Sequence, residues 1–67
     1  MIIITVNGKI IELGKALSIS SYLDSTDVNP KTVVVEYNYE IPDKQKWADI
    51  ILKDGDNLEI VKFIGGG

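Results

Sequence analysis

Two short runs rich in β-branched residues open the chain, Ile2-Ile3-Ile4-Thr5-Val6 and Lys9-Ile10-Ile11-Glu12-Leu13, with only Asn7-Gly8 between them. Asn-Gly between such runs is the strongest short-range hairpin signal, because both residues accept the positive φ of the turn that matches strand twist. A two-residue turn also sets the register. Ile2 faces Leu13, Ile4 faces Ile11 and Val6 faces Lys9 on one side of the sheet, while Ile3/Glu12 and Thr5/Ile10 share the other. The first side is the more apolar and is the expected core face.

The period then changes. Ser18 reads as the N-cap of a helix in which Ile19, Tyr22 and Leu23 recur at helical spacing and face the sheet. Asn29-Pro30 closes that connection, since a residue before proline resists helical ψ. Residues 32–37 return to strand composition. With charged Glu36 pointing outward, Val34 points outward too, and Val33, Val35 and Tyr37 point in. Residues 39–41 are expected to form a short fourth strand stopped by Pro42. Residues 43–51 carry Trp47, Ile50 and Ile51 at helical intervals and should form a short helix or helical turn that plugs one end of the core. Asp54-Gly55-Asp56 is a turn. In the last strand, residues 58–64, Leu58 and Ile60 point in if Glu59 points out, which leaves Val61 and Phe63 on the open face.

The order strand, strand, helix, strand, short strand, helical turn, strand is that of an α+β β-grasp fold: a mixed sheet of 4–5 strands crossed by one main helix. No internal repeat, low-complexity tract or linker precedes the glycine end, so residues 1–64 read as one domain and residues 65–67 as a flexible tail.

Composition removes many functions. At 67 residues the chain is one small domain, and ordering entropy nearly cancels what its core can contribute, so a compact, well-patterned fold is required. It has no cysteine and no histidine, which excludes disulfides, thiol nucleophiles, Cys/His zinc sites and any triad with an imidazole base. Arginine is absent as well. Seven lysines against ten acids leave a net charge of -3, which argues against nucleic acid and favours a basic docking surface on a protein partner. The apolar start of the chain lacks a basic n-region and is far shorter than the roughly 20 residues that span a bilayer. A cytoplasmic, non-membrane protein is the expectation.

The candidate reactive group is therefore not a side chain. Gly65-Gly66-Gly67 ends the sequence directly after the last strand. Glycine has no Cβ, so a short run of it can lie extended in a tunnel too narrow for any side chain. A catalytic pocket of another protein can admit such a tail and reach the Gly67 carboxylate.

Over essentially its whole length, and most specifically from residue 41 to the end, the chain resembles a ubiquitin-like sulfur carrier of the ThiS type. The resemblance rests on an Ile41-Pro42 step, Trp47-Ala48, Lys53 before Asp54-Gly55-Asp56, and an Ile-Val-containing strand running into Phe63-Ile64-Gly65-Gly66-Gly67. Val35-Glu36-Tyr37-Asn38 and the Ser18-Ile19 helix start agree with it too. Two positions depart: Tyr39 stands where a glycine often follows the turn asparagine, and Lys31-Thr32 is not distinctive.

Such carriers are not enzymes. The resemblance implies that a ThiF-type adenylating partner, using Mg-ATP, binds the domain and activates Gly67, with Gly65 and Gly66 threading into its active site. It implies that sulfur then comes from a cysteine desulfurase or another donor, leaving a terminal thiocarboxylate, and that a thiazole synthase of the ThiG type takes the sulfur for the thiazole ring of thiamine. No cofactor or metal is expected on the chain itself. Related carriers feed molybdopterin synthesis or tRNA thiolation, and ubiquitin-like modifiers attach to lysines; these remain the alternatives, beside a plain binding module with an inert tail.

Recognition must extend beyond the tail, because ordering glycines inside a partner carries an entropy penalty that contacts of the folded body have to offset. Val34, Val61 and Phe63 on the open face, with Ile3 and Ile10 expected nearby, form the candidate docking surface, and acidic Glu59 and Glu12 on that face can pair with basic partner residues. Trp47 is assigned to the core. Asp54-Gly55-Asp56 lacks the remaining ligands of a calcium loop. Tyr22, Tyr37 and Tyr39 have no neighbouring base and are not nucleophiles.

Overall fold

The computed structural model describes residues 1–63. Strands β1 (Ile2–Val6) and β2 (Lys9–Leu13) form the expected hairpin, in the expected register of Ile2 with Leu13, Ile4 with Ile11 and Val6 with Lys9. Asn7 and Gly8 both take positive φ, at 50° and 82°. Helix α1 (Ile19–Ser25) starts at Ser18, whose Oγ accepts from the Ser21 amide at 3.0 Å. A 3-10 turn, Pro30–Thr32, leads into β3 (Val33–Tyr37), and β4 (Asn57–Lys62) is the last strand among the described residues.

The sheet order is β2-β1-β4-β3, with β1 parallel to β4 and the other pairs antiparallel. One helix across one face of this mixed four-stranded sheet is the β-grasp arrangement. Ile19, Tyr22 and Leu23 of α1 bury against Ile4, Leu13, Val33, Val35 and Leu58, with Trp47 and Leu52 closing one end. Asn7 also extends the parallel ladder past the hairpin turn: its side-chain oxygen accepts from the Ile60 amide at 2.7 Å, and its Nδ2 donates to the Ile60 carbonyl at 3.2 Å. A primary amide reproduces the donor and acceptor of a peptide unit, so this side chain pairs with β4 as a further backbone residue would.

Two expectations need correction. Residues 39–41 form no strand; after β3 the chain reverses through Asn38 and Tyr39, both at positive φ, and makes only a single bridge between Tyr37 and Glu40. The helical turn expected within residues 43–51 is present as a 3-10 turn, Lys44–Lys46, but it covers only part of that span and leaves Ile51 outside it. The carbonyls of Trp47 and Ile50 are taken by the Ser20 and Ile19 amides at 3.2 and 3.0 Å, so this stretch satisfies the open donors at the start of α1 instead of continuing its own helix. Ile51 bridges to Ser18 in extended form. Its side chain therefore turns to solvent, and Leu52, not Ile51, is the buried neighbour of Trp47.

Candidate functional site

β3 and β4 carry the site because their alternation separates two sets of side chains. Val33, Val35 and Leu58 go to the core, while Val34 and Glu36 of β3 meet Val61 and Glu59 of β4 directly across the ladder on the open face. With Ile41 from the loop after β3, these four residues line a shallow groove of about 380 Å³. Val61 is 58% exposed and Ile41 68%, so the open face bears apolar surface that is not covered by the described residues. Lys9 and Lys62 fall on the other parity, opposite Val6 and Val33. Glu12, Glu36 and Glu59 thus share the open face with no strand lysine among them.

The expected residues Val34, Glu59 and Val61 come together as read. Phe63 follows them just past the end of β4 and is 49% exposed, and its amide donates to the Thr32 carbonyl at 3.0 Å. Ile3 and Ile10 do not join the cluster. The Ile3 carbonyl accepts from the Gly55 amide, and Ile10 lies level with Thr5, itself level with Asn57, so both sit near the start of β4 while Val61 lies near its end. Strand β1 and β4 are offset along their common axis, which alternation within single strands does not reveal. Gly65, Gly66 and Gly67, the expected threading and reactive residues, and Ile64, the expected end of the last strand, lie outside the described residues.

Sequence reasoning missed two lining residues. Glu36 carried a readable signal, since it lies two positions beyond Val34 and so on the same face. Ile41 carried none, because its place follows from the reversal at Asn38-Tyr39.

At the start of β4 the chemistry is different. Asp56 is 5% exposed. Its Oδ2 accepts from the Tyr37 hydroxyl and from the Lys53 amide, both at 2.7 Å, and its Oδ1 accepts from Asn38 Nδ2 at 3.1 Å. Burial alone would push the Asp56 carboxyl up; the hydrogen bonds from the Lys53 amide, Tyr37 and Asn38, with the Lys53 charge, outweigh it and hold the group below its ordinary value. Burial and the bond to Asp56 raise the Tyr37 phenol, with Lys53 opposing. Every polar atom of this knot is occupied within the domain. Among the described residues no group of acids is placed to hold a metal ion, and no helix is long and apolar enough to cross a membrane.

Residues 2–67 match the model of the ThiS family. The sulfur carrier protein ThiS of Bacillus subtilis is 40% identical over 62 residues, covering 91% of this chain and 94% of that protein. The thiazole synthase of Paramagnetospirillum magneticum is 38% identical over 64 residues, covering 96% of this chain; the chain spans 20% of that protein's length. Among solved structures, the thiamine biosynthesis protein (ThiS) of Geobacter metallireducens superposes with a TM-score of 0.85 at 30% identity, covering 98% of this chain and all of that one.

Proposed function

The chain belongs to the ThiS family, carriers of sulfur in thiamine biosynthesis and not enzymes, and from that premise we propose that the Gly67 carboxylate is the atom group that holds the sulfur. A carboxylate is a poor acyl donor because expelling oxide is prohibitively unfavourable. Attack by a Gly67 carboxylate oxygen on the α-phosphorus of ATP, bound by a ThiF-type partner, releases pyrophosphate and leaves a carboxyl-AMP mixed anhydride. The acyl carbon then has a good leaving group, and the partner and its magnesium supply the charge stabilisation. The outer sulfur of a cysteine desulfurase persulfide, or of a similar donor, displaces AMP to form an acyl persulfide; a thiol reductant then attacks the donor sulfur of its S–S bond, leaving with it as a disulfide and freeing a terminal thiocarboxylate. Held covalently on Gly67, the sulfur is delivered in one geometry, an advantage free sulfide lacks.

We take the acceptor to be a thiazole synthase of the ThiG type, and the setting to be the cytoplasm. The related segment in the Paramagnetospirillum magneticum thiazole synthase supports that acceptor over molybdopterin or tRNA thiolation. The observation that carries the docking half of this reading is the path of β4: Glu59 and Val61 face outward beside Val34, and the same strand leads through Phe63 toward the glycines. Glycine lets the tail enter a narrow active site, and the body supplies the contacts that hold it there.

The test is intact-mass spectrometry after incubation of the chain with a ThiF-type enzyme, ATP and a sulfur source. Exchange of one oxygen for one sulfur, placed on Gly67 by fragmentation, is expected. Sulfur found elsewhere, or no gain in mass while the enzyme releases pyrophosphate on a known carrier, overturns the proposal.

A further inference from the structure

Lys44, in the 3-10 turn beside the outer edge of β3, stands with its ammonium 5.9 Å from the centre of the Trp47 ring and 5.7 Å from that of Phe63. The two rings differ in kind. Trp47 is a buried core residue whose Nε1 donates to the Pro42 carbonyl at 3.3 Å. Phe63 is half exposed and lies where the strand ends, its backbone tied to Thr32 by one hydrogen bond. A cation placed over both faces is attracted by both ring quadrupoles, so Lys44 links a buried ring of the core to the ring at the root of the tail.

We infer that Lys44 is a positioning residue for the carrier reaction: by holding the Phe63 ring against the Trp47 end of the core, it sets the direction in which the chain leaves β4. Phe63 is then restrained at two points, its amide by Thr32 and its ring by Lys44. The residues that follow start from a defined place, and the partner orders fewer degrees of freedom when it takes up the terminus. Lys44 itself touches no reacting atom. The hydrocarbon stem of lysine spans the distance between the turn and the two rings while the charge stays at the solvent edge. Residue type matters here, since a neutral side chain of equal length would keep the packing and lose the attraction.

This inference rests on the proposed adenylation of Gly67, and the experiment separates the two. Pyrophosphate release by a ThiF-type enzyme is followed while the concentration of carrier is varied, for the wild-type chain, Lys44→Met, Lys44→Arg, and Lys44→Met in a Phe63→Leu background. Lys44→Met should lower kcat about fivefold, with KM and thermal midpoint unchanged. Lys44→Arg should retain most of the rate, because a guanidinium also stacks on aromatic faces. In the Phe63→Leu background the Lys44 substitution should have no further effect, since the ring through which it acts is gone. A Lys44→Met chain with wild-type kcat, a loss confined to KM, or an equal loss in the Phe63→Leu background overturns the positioning role and leaves the function of Gly67 standing. A wild-type chain that supports no pyrophosphate release overturns both.

Discussion

At the end of the β3–β4 ladder where β4 begins, the Asp56 carboxylate is buried and accepts from Tyr37, Asn38 and the Lys53 amide; at the end where β4 stops, Phe63 is held by one backbone bond and by a cation above its ring. The first end uses a charged residue for architecture, and its donors and acceptors find one another inside the domain. The second leaves Val34, Val61 and Phe63 facing solvent. In this molecule a buried acid is structural and exposed hydrophobes are the candidates for function. The physical reason is satisfaction: a group whose interactions close within its own chain has nothing left to offer a partner, whereas uncovered apolar surface gains on association.

The contrast can be broken most directly at the terminus. Deleting Gly66 and Gly67 should abolish sulfur loading, read by intact mass, while the urea midpoint stays where it was. A truncated chain that still acquires sulfur would remove the tail end from the account. At the opposite end, Asp56→Ala should lower folding stability by about 3 kcal/mol, because it strands the Tyr37 hydroxyl, the Asn38 amide and the Lys53 N–H together in a partly closed site. Denaturant titration measures that loss, and the folded fraction should still be loaded with sulfur at the normal rate.

The same carboxylate predicts an acid response. Its folded pKa lies below the ordinary aspartate value of 3.8, so its stabilisation is complete above that value and disappears as pH falls through the lower, folded one. Urea midpoints followed into strong acid should drop more steeply for wild type than for Asp56→Asn; parallel curves would show that Asp56 does not drive acid unfolding.

Phe63→Asp sharpens the other side of the comparison. It should slow adenylation about tenfold by replacing an apolar contact with a charge at the partner surface, with the thermal transition intact; unchanged kinetics would sink the docking surface. The smallest effect belongs to Tyr39, which is 79% exposed and held at a φ of 72°. Tyr39→Gly relieves a left-handed conformation unfavourable to a residue with a Cβ, offset by the entropy of a freer unfolded chain, so stability should rise by about 0.5 kcal/mol. A fall on calorimetry would show that the tyrosine ring contributes more than its backbone loses.

Much of the fold was legible because its signals are local. Asn7-Gly8 determines a turn, the turn determines a register, and the register determines that Ile4 and Leu13 face the core while Ile3 and Ile10 do not. The Ser18 cap and the outward parity of Val34 and of Val61, each within its own strand, follow from equally short patterns. The failures have a common origin. Ile50 and Ile51 are spaced as on a helix, yet the Trp47 and Ile50 carbonyls are claimed by the amide groups that open α1, and no pattern within residues 43–51 records that demand.

By itself, then, the sequence determined the hairpin, the helix face, the parity of β3 and β4 and the exclusion of thiol, imidazole and guanidinium chemistry, since each depends on residue type and on neighbours a few positions away. Only the tertiary structure decided that Asn7 would complete the β4 ladder, that Ile3 and Ile10 would lie far from Val61, that Asp56 would gather Tyr37, Asn38 and Lys53, and that Lys44 would stand between Trp47 and Phe63. Those arrangements join segments remote along the chain, and their geometry is set by how strands slide past one another and where loops return, quantities that side-chain period does not encode.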